Sequence, residues 1–258
     1  MSVLVLRLAA PLQAWGSSAR FARRTTETAP SKSGVVGLLA GALGRQRDAD
    51  LSDLAALAFA VRIDQPGTRI RDFQTAHHAD TDKAMPVSER FYLADAVFLA
   101  AVAGDDDLIH ALYEAVRAPV YLPYLGRRSC PPQGPVELGI RDGNDPAAVL
   151  HDEPWQAAAW HQKRHRKQAM VPLPLLAEAA AGARLGTTLR DQPLSFDPAH
   201  RRYALRTVVS TSVDVSNPHF RPANEPRHSQ RRRRLPVPSH SPEAHLTQLP
   251  TQLPLDGH

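Results

Sequence analysis

The chain has 258 residues, 43% of them hydrophobic and 22% charged, so it can bury a full core without disulfides or metal and is not a disordered, collagen-like or coiled-coil sequence. Its formal charge of +5 points to an anionic partner, yet more than half of that charge lies in residues 217–258, which carry six Arg against three acidic residues. The single cysteine, Cys130, offers neither an internal disulfide nor a cysteine-based zinc site. No stretch has the length of a membrane span or the pattern of a secretory leader, so a cytoplasmic protein is expected. Residues 3–8, VLVLRL, predict a short central strand ended by a turn at Pro11. After a loop holding Trp15 and several arginines, the segment PSKSGVVGLLAGALG predicts a helix that begins after Pro30, is capped by Ser31 or Ser33, and closes at Gly44. Gly34, Gly37 and Gly41 within it each cost about 1 kcal/mol against alanine, so a close approach of the helix backbone to the sheet or to a ligand is expected.

A short helix over 51–57 leads into strands over 59–63 and 96–103. Asp105, Asp106 and Asp107 then open a helix with Ile109, Leu112 and Val116 on its apolar face, and Pro119 ends it. A last strand falls at either 120–124 or 136–140. The order strand, helix, strand, strand, helix, strand is the split, ferredoxin-like (RRM-like) βαββαβ pattern of the α+β class. About thirty residues separate the second and third strands, too many for a structureless connection, and they predict a protruding β-hairpin over about 72–95 with its tip around 77–86. The body is thus expected over 1–145. A smaller β-rich part is expected over 146–216, with a basic stretch HQKRHRK at 161–167 and a strand pair at 188–196 and 202–212. The tail 217–258, with eight prolines and the run RRRR at 231–234, cannot build a core of its own.

PSKSG lacks the upstream glycine of a nucleotide phosphate loop, but Lys32, Ser33 and the helix start could receive a backbone phosphate. Arg20, Phe21, Arg23 and Arg24 after Trp15 interleave cations with aromatics, as do Tyr121, Tyr124, Arg127 and Arg128 in VYLPYLGRRSCPP at 120–132. Such segments can clamp phosphates and stack unpaired bases. A plain capped helix, core tyrosines and a solvated arginine pair are the alternatives. Metal-independent RNA cleavage needs a general base and a general acid, for which His77, His78, Lys83 and Tyr92 are available, though at no spacing that fixes a geometry. No metal site is expected: His77 and His78 have only Asp80 and Asp82 nearby.

LVLRLAAPLQAWG at 4–16, PSKSGVVGLLAGALGR at 30–45, RDFQTA at 71–76, PYLGRRSCP at 123–131 and DVS at 214–216 together resemble the CasD family, the five-type subunit of the type I-E CRISPR Cascade complex. The resemblance covers about residues 3–216. It implies a ferredoxin-like (RAMP) body with an inserted β-hairpin thumb and a small C-terminal β-subdomain, no cofactor and no catalysis. It further implies a subunit that caps the crRNA 5′ handle and meets the CasC-type backbone subunit and the CasA-type large subunit in antiviral defence. Carried onto this sequence, the RNA contacts fall on Gln13, Trp15, Arg20, Arg24, Lys32, Ser33, Tyr124, Arg127 and Arg128. The alternative is a metal-independent crRNA-processing endoribonuclease like the type I-C relative.

Overall fold

The computed structural model describes residues 1–16, 23–179 and 186–222. β1 (Ser2–Ala9) buries both of its faces, Leu4, Leu6 and Leu8 on one and Val3 and Val5 on the other, which is why it occupies an interior position in the main sheet. Two short strands follow, β2 (Leu12–Gln13) and β3 (Arg23–Arg24). Ser31 caps α1 (Lys32–Ala42) by accepting from the Gly34 amide, and α2 (Ser52–Ala56) leads into β4 (Ala58–Gln65). β5 (Thr68–Gln74) and β6 (Ser88–Ala94) form a hairpin. β7 (Val97–Gly104) is followed by α3 (Asp106–Arg117), whose cap Asp105 accepts from the amides of Asp107 and Leu108. Of the two sites open for the next strand, the chain uses the later, β8 (Glu137–Asp142); residues 120–124 are irregular. α4 (Pro146–Asp152), α5 (Ala159–Arg164), β9 (Met170–Glu178), β10 (Thr187–Ser195) and β11 (Arg202–Ser216) complete the element order.

The result is a mixed α+β molecule built on one large antiparallel sheet of seven strands, ordered β10-β11-β9-β4-β7-β1-β8. α1 and α3 cover one face together with Leu4, Leu6, Leu8, Val35, Leu39, Ile109 and Leu112. The segment from α4 to Trp155 covers the other, against Val3, Val5, Leu99 and Ala101. A second, small sheet joins β2, β3 and β5 to β6. At the hairpin end a bridge between His77 and Ala84 closes a turn over 78–83.

The C-terminal strands expected to form a subdomain of their own instead extend the main sheet, because β9 pairs with β4 through Leu175, Leu176 and Ala177. β9 was hidden in the sequence by Pro172 and Pro174. Both lie in the half of the strand that only β11 pairs, so neither removes a hydrogen bond to β4. Asn217, read as the first residue of the tail, is buried and donates to the carbonyls of Gln162 (3.2 Å) and His165 (2.9 Å). The RRRR run lies outside the described residues.

An internal arginine fixes the C-terminal segment to the back of the sheet. Arg62 Nε and Nη2 bind Asp64 at 2.7 and 3.0 Å, and its remaining hydrogens reach the carbonyls of Leu150, Glu153 and Pro154 at 2.6–2.8 Å. All five donors of the guanidinium are therefore satisfied, as a fully buried cation requires.

Candidate nucleic-acid interface

The first loop and the segment at 123–131, more than a hundred residues apart, meet directly. The Ala14 amide donates to the Leu125 carbonyl (3.1 Å), and Arg127 Nη2 donates to the Arg24 carbonyl (2.8 Å). Gly126 makes this contact possible. Its φ is +84°, and a Cβ there would stand 1.7 Å from the Ala14 carbonyl oxygen, so no other residue fits between the two strips of backbone. Further on, the amides of Val120 and Tyr121 donate to the carbonyls of Ala42 and Gly41, which ties the same segment to the end of α1.

Between these parts runs a groove of about 2300 Å³. One wall is Arg24, Thr25, Tyr124, Arg127 and Arg128; its floor is the α1 face from Ser31 through Gly34 and Gly37 to Gly41; the other wall is Arg190, Phe196, Arg201, Arg202 and Tyr203 from β10, β11 and their connection. The three glycines of α1 serve different neighbours. A Cβ on Gly34 would come within 2.8 Å of the Trp15 ring, one on Gly37 would touch Phe196 at 3.6 Å, and one on Gly41 would meet nothing within 4 Å. Eight arginines line the groove against two carboxylates, Asp48 and Asp197. Arg45 among them is already bound to Asp53, but Arg47, Arg128, Arg190, Arg201 and Arg202 make no ion pair among the described residues. With tilted Phe196 and Tyr203 rings 6.3 Å apart and Tyr124 partly exposed, the groove offers cations for phosphates and π-faces for bases.

Of the expected RNA contacts, Trp15, Arg24, Ser33, Tyr124, Arg127 and Arg128 line this groove, Trp15 from beneath with 1% of its surface exposed. Arg127 is half structural: its guanidinium lies 4.6 Å above the Tyr92 ring, and its Nη1 is buried without a partner among the described residues. Three expectations are corrected. Gln13 is fully buried, donating to the carbonyls of Leu8 (3.1 Å) and Ala96 (2.8 Å) and accepting from the Trp15 indole (3.1 Å). Trp15 is a core side chain pressed on Gly34, with its amide held by Thr26 Oγ1. Lys32 is buried, its ammonium on Glu178 (2.8 Å) and its amide on Asp191 (2.8 Å). Asp191 also takes both ends of the Arg206 fork, at 2.6 and 2.8 Å. This Lys32–Glu178–Arg206–Asp191 cluster occupies the start of α1, so a side-chain carboxylate sits where a phosphate was expected. Arg20 lies outside the described residues.

The far wall, Arg190 through Tyr203, was missed. Its signal was the same interleaving of cations and aromatics that marked the first loop, set in a strand pair assigned elsewhere. The acid–base candidates are not assembled. His77 and His78 face Asp82 and Asp80 at the hairpin end, whereas Tyr92 is buried under Arg127 at the other end of β6. Cys130 is buried, and that burial pushes its thiol above the usual range, away from nucleophilic use. Among the described residues no cluster of three or more metal-ligating side chains occurs, and no helix is long and apolar enough to cross a membrane.

The family model for CRISPR-associated protein (Cas_Cas5) matches residues 3–209. The CRISPR system Cascade subunit CasD of Escherichia coli (strain K12) is 36% identical over 239 residues, covering 83% of this chain and 99% of that protein. Among solved structures, a chain described as a CRISPR RNA-guided surveillance complex is 34% identical with a TM-score of 0.69, over 86% of this chain and 95% of that one. A second, described as a crystal structure of a Cas protein, is also 34% identical, with a TM-score of 0.64 over 86% of this chain and all of that one. This chain, with its glycine-floored, arginine-walled groove, belongs to the Cas5 family of CRISPR-associated proteins, and within it is of the CasD kind.

Proposed function

We propose that the protein is the non-catalytic crRNA-binding subunit of a type I-E Cascade complex and holds the crRNA 5′ handle in the groove between α1, the 123–131 segment and the β10–β11 wall. One observation carries this reading: the first loop and the 123–131 segment converge on a cleft whose arginines are mostly free of carboxylates. A single-stranded RNA end supplies phosphates for those cations and base faces for Tyr124, Phe196 and Tyr203. The central order β8-β1-β7-β4, with α1 and α3 on one face, fits the ferredoxin-like arrangement typical of RNA-binding modules. The β5–β6 hairpin, projecting as a thumb, suits contact with a CasC-type backbone subunit, and the exposed Val120, Tyr121 and Leu122 suit a CasA-type large subunit. Such an assembly would work in the cytoplasm.

The separation of Tyr92 from His77 and His78 speaks against an endoribonuclease. Purified protein mixed with labelled repeat RNA in chelator is expected to bind it, with affinity falling steeply in salt, and to leave it intact. Replacing Arg128 and Arg202 together by Glu is expected to weaken handle binding at least about tenfold without changing the thermal midpoint. Specific cleavage abolished by His77→Ala or Tyr92→Phe, or unchanged binding in the double variant, contradicts the proposal.

A further inference from the structure

The basic stretch at 161–167 takes no part in the groove. It lies with Trp155 on the opposite face of the main sheet, where Trp155 packs with Leu150, Val171 and Val213. There α5 and the turn after it meet the end of the described chain. Asn217 holds the carbonyls of Gln162 and His165, and the Arg221 amide donates to the Arg166 carbonyl (2.8 Å). Two distant segments thereby place Lys163, Arg164, Arg166, Lys167 and Arg221 on one exposed surface. None of the five makes an ion pair among the described residues. Among them stands Trp160, half exposed, with the Arg164 guanidinium 6.0 Å from its ring centre and His161 edge-on at 5.5 Å.

A single half-exposed aromatic is ordinary on a protein surface; what sets Trp160 apart is its place among five cations that make no ion pair among the described residues. A half-exposed ring beside cations that make no ion pair among the described residues matches what an unpaired base and its flanking phosphates require. We infer that this α5 surface is a second nucleic-acid site, which binds single-stranded nucleic acid through its phosphodiester backbone and stacks one base on Trp160. A duplex would present phosphates but no free base face, so the exposed indole selects the single strand. The inference does not depend on what occupies the groove.

The test uses the full chain and a labelled oligouridylate about ten nucleotides long. It is measured on wild type, on the groove variant Arg128→Glu with Arg202→Glu, and on each with Trp160→Ala or Arg166→Glu added. The groove variant is expected to retain binding. Adding Trp160→Ala should weaken that residual binding about tenfold, and adding Arg166→Glu should weaken it and lower the salt dependence by about 0.7 in the log–log slope. Circular dichroism of these surface variants should be unchanged. No effect of either α5 substitution in any background overturns the inference. So does equal affinity for a duplex of the same length, or displacement by polyglutamate as effective as by unlabelled oligouridylate, which would assign the surface to an acidic protein. Failure of the groove variant to weaken handle binding bears on the groove alone.

Discussion

Arg62 and Arg128 carry the same guanidinium into opposite situations. Arg62 is fully buried, with five hydrogen bonds to Asp64 and three carbonyls that close every donor. Arg128 stands exposed at the groove beside Arg190, Arg201 and Arg202, none with a carboxylate partner among the described residues. Arg62 fastens the chain to itself; Arg128 and its neighbours in the groove stay available. Burial and pairing, rather than charge alone, thus separate the arginines that hold the fold from those that can hold a ligand.

That contrast predicts effects of different kind and size. Arg62→Ala leaves the Asp64 carboxylate buried without its counter-charge and is expected to lower unfolding free energy by about 3–5 kcal/mol, seen as a shifted midpoint in urea. Replacing Arg62 and Asp64 together by Met and Leu removes the buried charge but should recover only part of that loss, because the carbonyls of Leu150, Glu153 and Pro154 and the Gln156 amide lose their partners. Lys32→Met leaves Glu178 with only the longer contact to Arg206 (3.9 Å) and should lower stability by about 1–2 kcal/mol while leaving RNA affinity within about twofold in a binding titration. An affinity loss without a stability loss would return Lys32 to the groove. Gly41→Glu runs the other way. Its side chain meets open space, and the helix gains by losing a glycine, so the thermal midpoint should hold or rise by a few degrees. The added volume and negative charge should nonetheless weaken handle binding about tenfold.

The smallest effect concerns His161. Burial, then His165 and Arg164, hold its imidazolium form below the usual histidine range. A histidine whose folded value is depressed takes up its proton more readily when unfolded, so it lowers stability as pH falls below about 6.5. The thermal midpoint should therefore decline between about pH 7 and pH 5, and His161→Gln should flatten that decline.

The sequence made the scaffold readable where local chemistry decides it. The two-faced apolar run of β1, the Ser31 and Asp105 caps and the thirty-residue insertion all correspond to elements at those places. The convergence of the first loop with PYLGRRSCP was also readable, and Gly126 is its physical basis. What stayed hidden were partners far along the chain. Lys32 looks like a phosphate ligand until Glu178, 146 residues later, is known to hold it. Trp15 among arginines looks the same whether it faces a base or a glycine. Gly34, one of the three glycines flagged in α1, held that answer, since only a residue without a Cβ lets the ring lie there. β9 was masked by prolines that a half-strand paired on one side only, by β11, tolerates, and with it the continuity that carries Arg190 and Arg202 to the groove.

The most direct test is a photo-crosslinking map of handle RNA carrying 4-thiouridine in the assembled complex, read by mass spectrometry. Crosslinks to Tyr124, Phe196 and Tyr203, on the two walls of one groove, are the predicted result. Handle crosslinks confined to other faces of this chain, with none to those three rings, would contradict the account.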